Sequence, residues 1–451
     1  MEPFRFHVFV CNQQKPDGMP SCYNHGSAQV IDALRREVAA NGLDEEVQVT
    51  VCGSLGTCEH GPSMVVYPEG IWYTGVAPAD IPEIVDSHFR KGMPVGRLCC
   101  TDGGFLRGEI LRNREKTRTA LRTRESSGVL PEEINARVRA FQESRAILTA
   151  LELNVFTAVG DHATASEAAA RMNTDVRATG MLLNALTAIG LLSKEGSAYR
   201  NSPVAARFLS TESPHCARTA LLHTANLWKT WSTLTECVRA GAAVANDPTL
   251  HDDAWVDTFI AAMHRNASER SAAVVQAMGP VEGRMLDIGG GSGAYSIAFA
   301  QANPTLEVDM IDQPQVEPIA RTNIRKAGLE DRIHLACGDL NTAPLGEGYD
   351  LAFLSAICHM LSADENFALL KRCFAVLAPG GRVAIHDFVL DAQKTGPKFA
   401  ALFALNMLTG TSGGSTYTEP EYTTWLEAAG FQSVRQIRLA GPASLIVAVK
   451  E

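Results

Sequence analysis

Residues 284–293 read Arg-Met-Leu-Asp-Ile-Gly-Gly-Gly-Ser-Gly, and the helical pattern AYSIAFAQA follows at once. A short apolar run that ends in Asp287 and then in glycines is a strand entering a tight turn. Only residues without a Cβ let the backbone reverse there and approach a ligand closely. Asp287, Gly289, Gly291 and Gly293 are therefore the first candidate binding residues. A glycine loop on its own is weak evidence, an ordinary tight turn being the alternative, but a strand before it and a helix after it give it weight.

From this loop the same rhythm extends to the C-terminus. The apolar runs RMLDIG, LEVDMID, YDLAFLSA and GRVAIHDFVL alternate with helical patterns from a composition shift at Glu282. That is the layout of a parallel sheet covered on both faces, a doubly wound α/β domain. Asp312 closes the next strand, 19 residues after Gly293, where a carboxylate can accept both hydroxyls of a ribose. Gly338-Asp339-Leu340 follows a third strand-like run, RIHLAC, at the place where such sheets face an adenine edge. For Asp339 the alternative is a helix N-cap.

With these residues the sequence resembles the class I S-adenosylmethionine-dependent methyltransferases. More narrowly, it resembles the O-methyltransferase family of plant caffeate-type and bacterial antibiotic-tailoring enzymes. The likeness covers roughly residues 130 to 451. It rests on DIGGGSG, on Cys358-His359-Met360-Leu361-Ser362-Ala363-Asp364-Glu365, on LAPGGRVAIHDFVL and on the closing EYTTWLEAAGF. The resemblance implies a Rossmann-like fold that binds S-adenosylmethionine through Asp287, Gly289, Gly291, Gly293, Asp312, Asp339, Leu340 and Ser355.

It also implies that His359 is the general base that takes the proton of the acceptor hydroxyl. An imidazole suits that task near pH 7. A histidine merely hydrogen-bonded at a strand end is the structural alternative. Two carboxylates commonly assist that histidine in the family. One matches Asp387, shorter than the usual Glu, while Thr416 stands at the other position in GGSTYT. An acceptor that is more acidic or more nucleophilic, such as a thiol, would need less assistance. By the same resemblance Trp228, Trp231, Met263, Phe403, Asn406 and Met407 line the acceptor pocket, each of them also readable as plain core.

Upstream, Pro131 to Ala158 is a long amphipathic helix pattern. The stretch after it alternates short helices and ends in a small hairpin, a winged-helix arrangement. Its recognition stretch TDVRATGMLLNALTAIG is apolar on most faces, so it reads as packing or dimer surface rather than as a DNA reader. The segment 130–280 resembles the family's dimerisation region, which implies a homodimer.

The first hundred residues are a different module. RFHVFVC and EVQVTVC read as strands separated by a helical pattern, VVYPEGIWY as two short strands about a Pro-Glu-Gly turn, and PADIPEIVDSHFRKG as a closing helix. Cys11, Cys22, Cys52 and Cys58 lie near its strand ends. Several thiolates presented from such loops suit an iron–sulfur cluster or zinc, and composition does not separate the two.

Residues 5 to 98 resemble the thioredoxin-like [2Fe-2S] ferredoxins, whose last two cluster cysteines are normally three residues apart as CLGxC. In this chain Ser54 occupies the third position and a cysteine stands two residues earlier, at Cys52. The expected ligands are Cys11, Cys22, Cys52 and Cys58. Ligation by Ser54 oxygen and loss of the cluster stay open beside them, as does a degenerate module kept for packing or docking.

The expected organisation is thus a ferredoxin-like domain over 1–100, a basic linker over 101–129, the helical dimerisation domain over 130–280 and the methyltransferase domain over 281–451. A chain of 451 residues exceeds one ordinary core. Net charge of −10 argues against nucleic acid as a main partner, since phosphate binding needs a basic surface. The basic run Arg107–Arg124 is the local exception and reads as a solvated helix or linker.

No apolar run is long enough for a membrane span, and the start lacks a basic region followed by an apolar one. Eleven cysteines, an odd number, make a disulfide framework improbable. The location expected is cytoplasmic. The function expected is methyl transfer to oxygen or sulfur of a small molecule, with the cluster regulating activity, docking a redox partner or supplying electrons. Two alternatives are a methyltransferase fold diverted to hydroxylation or decarboxylation, and a non-enzymatic redox sensor.

Overall fold

The computed structural model describes residues 3–15, 19–126, 130, 132–244 and 253–451, in two units, Met1–Ala140 and Phe141–Glu451. Pro131, where the long amphipathic helix was expected to begin, lies outside the described residues.

In the first unit, strand β1 (Phe6–Cys11) is followed by helix α1 (Ser27–Ala40), β2 (Val47–Cys52), the hairpin β3 (Met64–Tyr67) and β4 (Ile71–Tyr73), and the short helix α2 (Ile81–Ile84). The sheet order is β2-β1-β3-β4, with β1 parallel to β2 and antiparallel to β3. Alternation along β1 sends Phe6, Val8 and Val10 inward, where they meet Leu34 of α1 and Ile81, Ile84 and Phe89 from the α2 region.

The segment expected as a basic linker is helix α3 (Gly103–Ser126), a packed element of this unit. Leu106 and Glu109 are buried, and Asn113 donates a side-chain hydrogen bond to the carbonyl of Gly56 at 2.8 Å. Ile110 lies where a Cβ on Gly56 would come within 2.9 Å of it. These residues recur at helical spacing, so one stripe packs while the Arg and Lys side chains face water. The high charge of the remaining faces hides that stripe from composition.

Helix α4 (Glu132–Glu152) spans the boundary, and in the second unit it leads into α5 (Val155–Val159), β5 (Ala163–Thr164), α6 (Ala165–Met172), α7 (Val176–Ala188), β6 (Leu192–Glu195) and β7 (Ala198–Asn201). The three strands form a small sheet ordered β5-β7-β6, the wing of the expected winged-helix arrangement. Thr164 and Glu167 form a capping box at the start of α6, and Asp175 caps α7. Four more helices follow, α8 (Pro203–Phe208), α9 (Arg218–Trp231), α10 (Leu234–Ala240) and α11 (Asp253–Met278).

The nucleotide-type domain then runs β8 (Arg284–Ile288), α12 (Ala294–Ala302), β9 (Glu307–Asp312), α13 (Glu317–Ala327), β10 (Ile333–Cys337), β11 (Tyr349–Ser355), α14 (Ala363–Val376) and β12 (Leu377–Asp387). After β13 (Val389–Leu390), α15 (Lys398–Gly410), β14 (Tyr417–Thr418) and α16 (Glu419–Ala429), it closes with β15 (Gln432–Arg438) and β16 (Ser444–Val449).

The seven-stranded sheet is ordered β10-β9-β8-β11-β12-β16-β15. Its first five strands are parallel, as expected. Only β16 departs from that direction, lying antiparallel to β12 and to β15, so that β15 runs the same way as the first five. Too few residues separate Arg438 from Ser444 for a crossover helix, so the chain must return as a hairpin. Among the described residues no helix is long and apolar enough to cross a membrane.

Candidate active site

The strand order reverses between β8 and β11, and a ligand of such a sheet sits outside the carboxyl ends of the strands at that point. The glycine loop stands there. Gly289, Gly291 and Gly293 have φ of +72°, +57° and +80°, a region that L side chains avoid. A Cβ on Gly289 would come within 2.2 Å of Ile357 Cδ1, and one on Gly290 within 2.5 Å of Met310 Cγ. Asp287, at the end of β8, is buried. Its Oδ2 accepts the Ser296 hydroxyl at 2.6 Å, while Oδ1 has no protein partner. Burial pushes its pKa up to about 7.

At the end of β9, Asp312 accepts the backbone N–H of Gly291 at 2.6 Å and that of Gln313 at 2.7 Å. Its carboxyl is thereby fixed against the glycine loop, and burial raises its pKa as well. The N–H of Gly338 donates to the Asp312 carbonyl at 3.0 Å, which carries Asp339 and Leu340 to the same sheet edge. Asp339 is exposed and accepts the Asn341 N–H at 2.7 Å. It therefore closes a local turn, and the helix N-cap alternative does not apply because no helix begins there. Leu340 packs against the core beneath the loop. Ser355 closes β11, its hydroxyl 3.0 Å from His386 Nδ1. Tyr295 OH reaches the same nitrogen at 3.2 Å, and burial holds His386 down at about 4.

His359 stands in the short turn Cys358–Met360 after β11, anchored by Asn366, whose side chain donates to the Cys358 carbonyl at 2.9 Å. Asp387 closes β12 and grips His359 twice. The ring Nδ1 lies 2.7 Å from Oδ1 and the backbone N–H donates to Oδ2 at 3.1 Å. The Phe388 N–H adds a third donor to Oδ1 at 2.8 Å. A carboxylate only accepts, so Nδ1 carries the proton and Nε2 of the neutral ring is left with its lone pair. The ring is further held by Phe403, edge-on at 4.9 Å, and by Phe388, stacked at 5.9 Å.

Thr416, at the position of the family's second carboxylate, is buried and donates to the Ala400 carbonyl at 3.0 Å. Of the expected pocket residues, Trp231 donates from Nε1 to Asn406 Oδ1 at 2.8 Å, and Met407 is buried on α15 beside them. Trp228 instead packs with Phe141 and Arg145.

Sequence reasoning passed over His386, Tyr295 and Phe388. It also passed over the pair His264–Ser292, joined at 2.8 Å between Nδ1 and Oγ. Tyr295 and Phe388 directly follow motifs that were singled out, and His386 precedes Asp387, so adjacency was the available signal. Nothing in the sequence ties His264 to Ser292.

In the first unit Cys11, Cys22 and Cys58 are buried. Cys52 is half-buried and stands opposite Cys11 in the parallel ladder. The neighbour of Cys58 Sγ is Ser54 Oγ, at 3.5 Å. Among the described residues no group of three or more His, Cys, Asp or Glu side chains is arranged to hold a metal ion. The expected set Cys11, Cys22, Cys52 and Cys58 is therefore not gathered as a ligand group. The physical reason lies at Ser54: a hydroxyl, not a thiol, stands against Cys58, while Cys11 and Cys22 are hydrogen-bonded to each other.

Comparison with known proteins places the chain after Arg137 among methyltransferases. Residues 244–432 match the O-methyltransferase domain and residues 137–211 the O-methyltransferase dimerisation domain. The chain is 34% identical over 313 residues to the 3-hydroxy-5-methyl-1-naphthoate 3-O-methyltransferase of Streptomyces sahachiroi, covering 66% of this chain and 89% of that one. It is 30% identical to the tetracenomycin polyketide synthesis 8-O-methyl transferase TcmO of Streptomyces glaucescens, covering 71% and 97%. Among solved structures, PigF with SAH superposes with a TM-score of 0.65 at 28% identity, covering 71% of this chain and all of that one.

The chain belongs to the O-methyltransferase family. It is an S-adenosylmethionine-dependent methyltransferase, and the site fits that ligand: a glycine-rich loop, a fixed carboxylate at the next strand end, and a buried Asp287 oxygen without a protein partner.

Proposed function

We propose that the chain methylates a hydroxyl group on a small, planar aromatic acceptor, with His359 as general base and Asp387 as the group that orients it. The observation that carries this reading is the double hydrogen bond between His359 and Asp387, which leaves Nε2 as the free acceptor in a cage of Phe388 and Phe403. S-adenosylmethionine, when bound, supplies an electrophilic methyl carbon on its sulfonium. Asp287, Gly289, Gly291, Gly293, Asp312, Asp339, Leu340 and Ser355 would hold it, and the Asp312 carboxylate would be the acceptor for ribose hydroxyls. His359 Nε2 takes the acceptor's proton, and the Asp387 carboxylate stabilises the imidazolium that results. Positioned proton transfer of this kind contributes roughly 10²- to 10⁴-fold, the remainder coming from alignment. The naphthoate and tetracenomycin enzymes among the relatives support a hydroxyl on a fused ring as acceptor, and the dimerisation-domain match supports a homodimer.

A thiol acceptor is the second reading, favoured by Thr416. With only one carboxylate beside the histidine, an acceptor that ionises readily needs less help. A [2Fe-2S] cluster serving a redox partner is the finer reading of the first unit. It rests on the sequence resemblance, has no gathered ligand group behind it, and no step of the transfer is routed through it. An absorption and EPR spectrum of anaerobically purified protein tests it, a colourless and EPR-silent sample ending the idea.

The transfer itself is tested by incubating the protein with methyl-labelled S-adenosylmethionine and a panel of hydroxynaphthoates, phenols and thiols. Labelled ether and S-adenosylhomocysteine in equal amounts are expected. S-adenosylhomocysteine without labelled acceptor, or label on sulfur alone, overturns the hydroxyl reading.

A further inference from the structure

Ser292 is the one residue with a functional side chain within the glycine loop, and both of its ends are held from outside. Its carbonyl accepts the side-chain amide of Asn323, on α13, at 3.0 Å. Its hydroxyl is 2.8 Å from Nδ1 of His264, on α11. Ser292 is 3% exposed and His264 half-buried, so loss of this bond leaves a buried hydroxyl without that partner. Helix α11 belongs to the segment that precedes the nucleotide sheet. It packs on α12, which the loop enters, and on α9. Asn226 of α9 donates to Thr258 of α11 at 2.9 Å, and α9 ends at Trp231, the residue that holds Asn406. One helix therefore touches the cofactor loop at one point and the support of the acceptor pocket at another.

We propose that His264 is a positioning residue for cofactor binding, and that through Ser292 it couples the order of helix α11 to occupancy of the glycine loop. The loop must present its backbone at a fixed angle, and its left-handed glycines hold no side chains that could fix it from within. Packing on α12 sets the loop's exit, and Asn323 sets one side. Asp312 holds the Gly291 N–H and the Ile311 carbonyl the Gly289 N–H, and the bond to His264 adds the side-chain restraint at Ser292. A ligand that selects the ordered loop then selects the ordered α11, a coupling that runs equally in both directions. His264 touches neither the cofactor's reacting atoms nor the acceptor in this assignment. The inference rests on the reading of the loop as the S-adenosylmethionine site.

The test measures binding of S-adenosylhomocysteine by calorimetry to the full-length protein and to H264A, H264N, S292A and the double variant H264A/S292A. Hydrogen exchange of the α11 amides is followed with and without the ligand. One such hydrogen bond corresponds to a loss of about three- to tenfold in affinity. That loss is expected in H264A and S292A alike, with no further loss in the double variant and recovery to within about threefold of wild type in H264N, whose amide restores a partner for the hydroxyl. In turnover, KM for S-adenosylmethionine should rise while kcat holds.

Bound ligand should protect the α11 amides in wild type, and this protection should shrink in S292A, a variant that leaves α11 itself unaltered. Equal affinity in all variants, losses that add in the double variant, or α11 protection unchanged in S292A would each overturn the proposal. Failure of the wild-type protein to bind S-adenosylhomocysteine overturns the cofactor reading itself, which is a separate outcome.

Discussion

His359 and Asp387, 28 residues apart in sequence, meet through two hydrogen bonds, one from the ring and one from the backbone amide of the same residue. The ring bond selects the tautomer. The backbone bond ties the turn that carries the ring to the end of β12, so orientation and position are set by one carboxylate. Asp387 is also held by the Phe388 amide, which leaves it little freedom to swing away.

His359→Ala is accordingly expected to lower kcat by roughly 10²- to 10⁴-fold while leaving S-adenosylhomocysteine affinity within about twofold. Asp387→Asn should lower kcat substantially too, because the amide can present a donor to Nδ1 and favour the wrong tautomer. Parallel calorimetry and single-turnover assays separate the two effects. A His359→Ala enzyme with full turnover removes the base from the mechanism.

Asp312→Ala should act on binding. The lost charge-assisted hydrogen bonds correspond to roughly ten- to a hundredfold weaker S-adenosylhomocysteine affinity. Since the Gly291 N–H also loses its acceptor, the loop should loosen as well. Equilibrium dialysis checks this, and an unchanged dissociation constant would show that the β9 carboxylate does not contact the ribose.

Gly289→Ala combines two penalties, a φ of +72° and a Cβ 2.2 Å from Ile357 Cδ1. A strained backbone of this kind costs about 1–3 kcal/mol, visible as a lowered midpoint in urea unfolding. Ile357 lies two residues before His359, so its displacement should also depress kcat. A variant with wild-type stability and turnover would mean that the loop relaxes freely.

Two buried groups give opposite pH dependences to the ligand-free protein. His386 is held down at about 4 against an ordinary 6.5. The unfolded chain binds that proton first, so its contribution is full above pH 6.5 and is lost as pH falls toward 4, by roughly 3 kcal/mol over the window. Asp287 is pushed up to about 7 from 3.8, so its contribution is full below about pH 4 and is lost as pH rises toward 7. The two slopes oppose each other in wild type. His386→Gln should leave stability falling with pH between 4 and 7, and Asp287→Asn should leave it rising. Urea unfolding at four pH values reads both, and parallel curves for all three proteins would contradict the assignment.

The glycine loop, the strand-end acids and His359 were legible because each is local: a run of residues of fixed type at the end of an apolar stretch. The partnership of Asp387 with His359 came from resemblance, and the backbone half of it had no sequence signal. Helix α3 reads in sequence as a solvated helix or linker because its charged faces dominate its composition, while the packing stripe Leu106, Glu109, Ile110, Asn113 contains two aliphatic residues. The reversal of β16 hid in a strand pattern that looks alike in either direction. His264 and Ser292 could not be paired from sequence, because their meeting depends on how α11 lies over the sheet.

The threonine at position 416 has a consequence for charge balance. Asp387 brings one negative charge to the base, and the proton that His359 accepts brings one positive charge, so the loaded pair is neutral as a unit. A second carboxylate at position 416 would have left that unit anionic and would have repelled an oxygen or sulfur nucleophile as it ionised. With a hydroxyl there, bonded away to Ala400, the loaded pair offers no such repulsion, whereas an acceptor that arrives already deprotonated brings no proton and meets the single negative charge of Asp387.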